Sequence, residues 1–415
     1  ATFGSLDRTS PWMPPMSCPP DSPAPPTLED VAGLKTFSVS GSVKRPTDTR
    51  PDVCVLATEQ PAAFASLTTT STAAAASCLW TRARTPALRR AVVVNSGNAN
   101  AATGPRGVED NAAMAAAVAD QLGCAADDVL VCSTGVIGVP LPMGRLMPAV
   151  RAAARGVVGS SLSPFRAADA ILTTDTAAKE AGLRAGGFTV AGIAKGSGMI
   201  HPGMATMLAY VATDADIAPD LLQGLLVEAA DRSFHQISVD GDMSTNDTVV
   251  LIATGMGASV TPRSESWAEL KAAVVGVCRS LARQIAADGE GARTLMSVRM
   301  EGAPDDETAR RLARSVVSSS LVKAAVHGRD PNWGRIVGAL GQAGAPDLDQ
   351  VSVSIGDVDV MVDGIPQDFD EARASEALGR PEVVISLSLP GPGRAEAWGC
   401  DLSAQYVAIN ADYRT

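Results

Sequence analysis

Five short stretches gather glycine, hydroxyl, amide and carboxylate residues in patterns that could do chemistry. They are residues 95–100 (NSGNAN), 132–138 (CSTGVIG), 173–176 (TTDT), 195–208 (KGSGMIHPGMATML) and 238–247 (SVDGDMSTND). Taken alone, each reads as a turn that uses Gly and Asn for left-handed backbone and for local side-chain bonds. The fourth stretch carries a sharper possibility. Thr206 opens an apolar run, where it is either an ordinary strand residue or an N-terminal nucleophile released by a break after Ala205. In the second case the Thr206 hydroxyl attacks the carbonyl before it, and water cleaves the resulting ester. Residue 206 then carries an Oγ and a free α-amine. Such an amine has a reference pKa of about 7.7–8.0, so it can accept the hydroxyl proton without help from a histidine. That suits a chain with three histidines, His201, His235 and His327. There is no GxxxxGK(S/T) phosphate loop, no HExxH and no GxSxG, which argues against P-loop nucleotidases, zincins and typical α/β-hydrolases. The pair Gly196 and Gly198 is a weak dinucleotide signal, since no strand–GxGxxG–helix unit surrounds it.

The elements that must hold these stretches alternate. Residues 53–57, 91–95 and 129–132 are short and rich in β-branched side chains, as strands are. Residues 111–122 and 140–155 repeat Ala, Val, Leu and Met at helical spacing. A second series predicts strands at 188–194 and 207–212, a helix at 219–232, a strand at 248–253 and a long amphipathic helix at 267–287. A strand at 294–300, a helix at 307–318 and strands at 351–362 and 383–389 follow. The pattern is α/β, without an internal repeat. Residues 1–27, rich in Pro and Ser, read as an extended arm. A cut near 289–291 divides the remainder into a core of 28–290 and a smaller α/β unit of 291–415.

Composition narrows the classes. Of 415 residues, 46% are hydrophobic but 4% aromatic, so cores must be filled by Ala, Val, Leu and Ile. The net charge of -11 argues against nucleic acid as partner, because phosphate binding needs clustered Lys and Arg. Seven scattered cysteines, none in a CxxC pair, suit a reducing compartment better than a disulfide framework or a metal site. No apolar run reaches membrane-span length. The expectation is a soluble, cytoplasmic protein, or one of the mitochondrial matrix or plastid if a transit peptide has been removed.

The motifs together resemble the ornithine acetyltransferase family, the bifunctional glutamate N-acetyltransferases of arginine biosynthesis. The matching stretches are 92–104 (VVVNSGNANAATG), 132–138, 173–176, 195–208, 240–248 (DGDMSTNDT), 288–292 (DGEGA), 328–336 (GRDPNWGRI) and 397–415 (AWGCDLSAQYVAINADYRT). The resemblance implies an αββα sandwich of the type shared with self-processing aminopeptidases, with a smaller C-terminal α/β domain. It implies cleavage between Ala205 and Thr206, with Thr206 as nucleophile and Thr134 and Gly135 as the oxyanion hole. Thr173, Lys195, Glu290, Asn410 and Thr415 would contact the amino acid, with Glu290 also able to shuttle a proton. The C-terminal tail would then return to the active site. The implied reaction moves acetyl from N-acetylornithine to glutamate without a cofactor or metal, and leaves acetyl-CoA open as a further donor. The two fragments would stay together as a heterotetramer or larger assembly. Residues 67–73 (LTTTSTA), His201 and Gly203 depart from the family pattern. They keep open an acyltransferase or amidohydrolase acting on another N-acyl amino acid in specialised metabolism. An uncleaved scaffold with Thr206 as a plain strand residue is a third reading.

Overall fold

Strands that are apolar at every position need cover on both faces, and the middle of this chain supplies several. In the computed structural model, which describes residues 24–159, 162–201 and 207–412, they build one large sheet. In chain order its strands are β1 (Leu34–Val39), β2 (Val53–Thr68), β3 (Ala87–Asn98), β4 (Val129–Val136), β5 (Lys179–Ala185), β6 (Phe188–Lys195) and β7 (Leu208–Thr213). β8 (Ile237–Ser238) leaves for a second sheet, and β9 (Thr248–Ala253) returns to the first. The spatial order is β4-β3-β2-β9-β7-β6-β5, with β1 on β2. β2 is long, and its register with β3 breaks between Ala57 and Ala62. Its first half pairs with β1 and β3, its second half with β3 and β9.

The two halves face each other across a shared core. Leu56, Val92, Val94 and Leu130 of one half meet Ile193, Leu208, Tyr210, Val250 and Ile252 of the other. Because side chains alternate along a strand, the neighbouring residues point outward and need helices. Val55, Val93 and Val131 are covered by α2 (Gly104–Leu122) and α3 (Met143–Val158), which follow the short α1 (Ala76–Arg82). A four-residue turn of helix, α4 (Ala167–Ala170), closes an edge of the inner core. Ala209, Val211, Val249 and Leu251 are covered by α5 (Pro219–Asp231) and α6 (Trp267–Ala287). The layers therefore run helix, sheet, sheet, helix, the expected αββα sandwich.

The second sheet is formed by β10 (Leu295–Ala303), β11 (Ser352–Ile355), β12 (Val358–Val362), β13 (Ile365–Pro366), β14 (Glu382–Ser388) and β15 (Gly393–Cys400), with β8 at one edge beside β15. Its core packs against α7 (Asp306–Ser318), α8 (Ser320–Gly328), α9 (Trp333–Gln342) and α10 (Glu371–Leu378). The chain ends in α11 (Ala404–Asp412). Residues 351–362, expected as one strand, are two, because Gly356 takes a left-handed φ of 61° and turns the chain. Other predicted elements shift at their ends. The helix expected at 111–122 starts at Gly104, and the one expected at 140–155 starts at Met143. The arm expected at 1–27 lies almost wholly outside the described residues. No helix among the described residues is long and apolar enough to cross a membrane.

Candidate active site

β3 and β4 run parallel, and both end in glycine-bearing turns. Gly135 has a φ of 132°, and a Cβ there would lie 2.3 Å from the Gly97 carbonyl carbon. Only glycine lets these strand ends approach so closely. The side-chain amides of residues 95–100 brace this turn and the segments beside it. Asn95 Nδ2 donates to the Asn98 carbonyl at 2.9 Å, and Ser133 Oγ donates to Asn95 Oδ1 at 2.7 Å. Asn100 N–H donates to Asn98 Oδ1 at 2.9 Å. Asn246, from the loop before β9, donates to the Ala99 carbonyl at 2.5 Å and the Ser133 carbonyl at 2.9 Å. The result is a rigid base on which Thr134 and the Gly135 N–H are presented.

β6 ends at Lys195, which pairs with Leu208 at the start of β7. The turn after it passes under Glu290. Glu290 N–H donates to the Ser197 carbonyl at 2.9 Å, and a Cβ on Gly198 would lie 2.4–2.6 Å from the Glu290 carboxyl atoms. Met199 and Ile200 N–H donate to Asp240 at 2.5 and 2.9 Å. α11 packs on the same loop. Ser403 Oγ donates to the Gly291 carbonyl at 2.7 Å, Tyr406 OH to Asp240 Oδ2 at 3.2 Å, and Asn410 Nδ2 to Glu290 Oε2 at 2.8 Å.

These segments enclose a cleft of about 130 Å³. Thr134, Gly135, Thr173, Lys195, Glu290 and Asn410 all line it. Five separate stretches of chain thus meet at one place. Ala205, Thr206 and Thr415 lie outside the described residues. Met207, bonded to the carbonyl carbon of residue 206, is held by Asp247 Oδ1, which accepts its N–H at 2.9 Å.

The interior beneath the cleft is charged. Burial pushes the Asp175 carboxyl up, but Lys195, Lys179 and the hydrogen bonds from Lys179 and the Gly196 N–H outweigh it and hold the group at about 2. Lys195 is lowered by burial and by Lys179, against the raising effect of Asp175, Asp247 and Glu290. Burial also raises Asp240 and Asp247. An ammonium with low exposure next to a small cleft favours an anionic partner, and the carboxylate of Glu290 favours a cation.

Sequence reasoning singled out the stretch 238–247 without assigning its members. Asp240, Asp242, Ser244, Thr245 and Asn246 all line the cleft. The signal was the density of short polar residues before a strand that is apolar throughout. Tyr406 also lines it, and only its place in the C-terminal motif pointed there.

Comparison with known proteins agrees along nearly the whole chain. The model of the ArgJ family matches residues 35–415. The arginine biosynthesis bifunctional protein ArgJ of Parasynechococcus marenigrum is 45% identical over 410 residues, covering 96% of this chain and 99% of that protein. The protein of the same name from Symbiobacterium thermophilum is 46% identical over 396 residues, covering 92% and 97%. Among solved structures, argJ of Bacillus halodurans is 42% identical, with a TM-score of 0.48, over 49% of this chain and 98% of that one.

Proposed function

The chain belongs to the ArgJ family, and from that premise we propose that it transfers acetyl from N-acetylornithine to glutamate through an acetyl ester on Thr206. The Thr206 hydroxyl first attacks the Ala205 carbonyl carbon, the peptide C–N bond breaks, and water hydrolyses the ester. This leaves a carboxylate on Ala205 and an amine on Thr206. In turnover, Thr206 Oγ adds to the acetyl carbonyl of N-acetylornithine and its proton passes to the α-amine. Thr134 Oγ and the Gly135 N–H donate to the oxyanion; such donors contribute about 10²–10³ each in rate. The C–N bond to ornithine breaks, the proton moves to the leaving nitrogen, and glutamate takes the acetyl group by the reverse path. Lys195 grips the substrate carboxylate, Glu290 its ammonium group and mobile proton, and Thr173, Asn410 and Thr415 complete the contacts.

One observation carries this reading. Thr134, Gly135, Thr173, Lys195, Glu290 and Asn410 line a single cleft although they are scattered from β4 to α11. Oxyanion donors, a buried cation and a carboxylate are the set that acyl transfer between amino acids needs. No group in this set requires a cofactor. We further read 28–290 as the catalytic core, 291–415 as a smaller unit, and the two cleaved fragments as remaining associated in a soluble assembly. Acetyl-CoA as an extra donor belongs to the same proposal.

The test is intact mass together with acetyl transfer, for the native chain and Thr206→Ala. The native chain should split between Ala205 and Thr206 and acetylate glutamate from N-acetylornithine, and the variant should stay whole and inactive. A native chain that remains whole yet transfers acetyl would remove Thr206 from the mechanism. A chain that splits but uses another N-acyl amino acid would move the substrate, not the chemistry.

A further inference from the structure

Two lysines lie buried beside the cleft, and they are partnered in opposite ways. The side chains of Lys179 and Lys195 are each 2% exposed. Lys179 donates to Asp175 Oδ1 at 2.7 Å, to Asp288 Oδ2 at 2.6 Å and to the Ala177 carbonyl at 3.3 Å. That uses all three N–H donors of an ammonium group. Lys195 Nζ stands 3.9 Å from Asp175 Oδ2, within reach of its charge but beyond a hydrogen bond. Asp175 is occupied elsewhere, accepting from the Gly196 N–H at 2.6 Å and the Thr173 N–H at 3.1 Å. Asp288 accepts from the Thr176 N–H at 3.0 Å and from the Thr176 hydroxyl, and lies two residues before Glu290.

We propose that Asp175, Lys179 and Asp288 form a positioning triad in which Asp175 favours the charged form of Lys195 while its own hydrogen bonds are taken up by other groups, leaving the Lys195 ammonium ready for the carboxylate of the amino-acid substrate. The inference rests on the reading of Lys195 given above. A buried lysine without a nearby carboxylate tends to lose its proton. A lysine bonded directly to one would have to break that bond before gripping a substrate. Here Lys179 and the Gly196 N–H occupy Oδ1 of Asp175 and the Thr173 N–H occupies Oδ2, so Lys195 receives the field of the carboxylate and, among the described residues, keeps its own donors. The same triad ties the loop of Thr173 to the loop of Glu290. The charged groups facing Lys195 are Asp175, Lys179, Asp247 and Glu290, and Asp175 is the one this arrangement holds at ion-pair distance. None of the three triad residues lines the cleft among the described residues, so they act through Lys195 and the loops.

The test compares the wild type with Asp175→Asn, which keeps an acceptor oxygen but loses the charge. KM for glutamate should rise about tenfold near pH 8, with kcat within about threefold, and the gap should narrow toward pH 6 as Lys195 regains its proton. The dissociation constant of ornithine, measured by calorimetry, should follow the same pattern. Asp288→Asn removes the second carboxylate charge beside Lys179 and should move both constants in the same direction by a smaller factor; it carries the test if Asp175→Asn does not fold. A purely structural role would lower the melting temperature without a pH-dependent KM. Unchanged KM and ornithine affinity from pH 6 to 8 in the folded variants would overturn the inference. If the wild type binds ornithine but transfers no acetyl, the reaction fails and the affinities still decide the triad. If it binds neither amino acid, both fall.

Discussion

Asp247 brings two carboxylate oxygens into a fully enclosed site. Met207 N–H satisfies Oδ1, and Oδ2 has no partner among the described residues. Burial raises its pKa well above the ordinary value, against the Met207 N–H, Lys195 and, more weakly, the nearby Ser244 N–H, which lower it. A raised carboxyl has a defined effect on stability. Above the usual carboxylate range the unfolded chain ionises this group while the folded chain keeps its proton, so stability falls as pH rises from that range toward the folded value. Asparagine does not titrate and still offers an oxygen to Met207. The melting temperature of Asp247→Asn, relative to wild type, should therefore be more favourable at pH 8 than at pH 5. An equal difference at both values would mean that Asp247 is ionised in the folded protein. The residue also holds the N–H of the peptide that follows position 206, so the same variant reports on how firmly the start of β7 is fixed.

At the scale of elements, two glycines in the site forbid a side chain for different reasons. A Cβ on Gly135 meets backbone, 2.3 Å from Gly97 C and 2.5 Å from Asn98 N, at a φ of 132°. Neither strand end can yield without losing the β3–β4 register. A Cβ on Gly198 meets the end of the Glu290 side chain, which can swing aside. Gly198→Ala should therefore keep its fold and melt within a few degrees of wild type while separating Glu290 from Asn410. Its kcat/KM should drop about tenfold or more if Glu290 handles the substrate ammonium and proton. Gly135→Ala should lose stability and, on the proposed oxyanion role of its N–H, activity as well. Circular dichroism, thermal melting and steady-state rates on the pair separate the two cases; equal melting of both variants would contradict the backbone argument. The strands behind these turns owe their place to sequence. β7 and β9 are buried at every position, as runs such as TVVLIA require.

At the scale of the molecule, α6 joins the two sheets. Its apolar face (Val277, Leu281, Ile285) belongs to the first core, while Arg279 pairs with Glu396 at 2.5 Å and Arg283 with Glu382 at 2.9 Å on the second sheet. The carboxylate of Asp401 then accepts the Arg293 and Thr294 N–H at 2.7 and 2.9 Å and pairs with His327 at 2.7 Å, setting the start of α11 over the Glu290 loop. No residue of α11 is buried, so the helix adds contacts to the cleft and little core. Deleting residues 404–415 should leave the melting temperature within a few degrees of wild type and raise KM about tenfold or more, through loss of Tyr406 and Asn410. A collapse in melting temperature would make α11 a structural element instead. The same helix marks where sequence reading stops. Central strands, the long α6 and the polar stretches around 134, 195 and 240 were legible because period and composition carry local information. So was the membership of the chain in its family, because long, unusual motifs occur in a given order. The break in β2, the splitting of residues 351–362, the transfer of β8 to the second sheet and the meeting of α11 with Glu290 were not. They depend on which apolar faces find one another and on where buried carboxylates find donors, and those are contacts between residues far apart in the chain that only the tertiary structure decides.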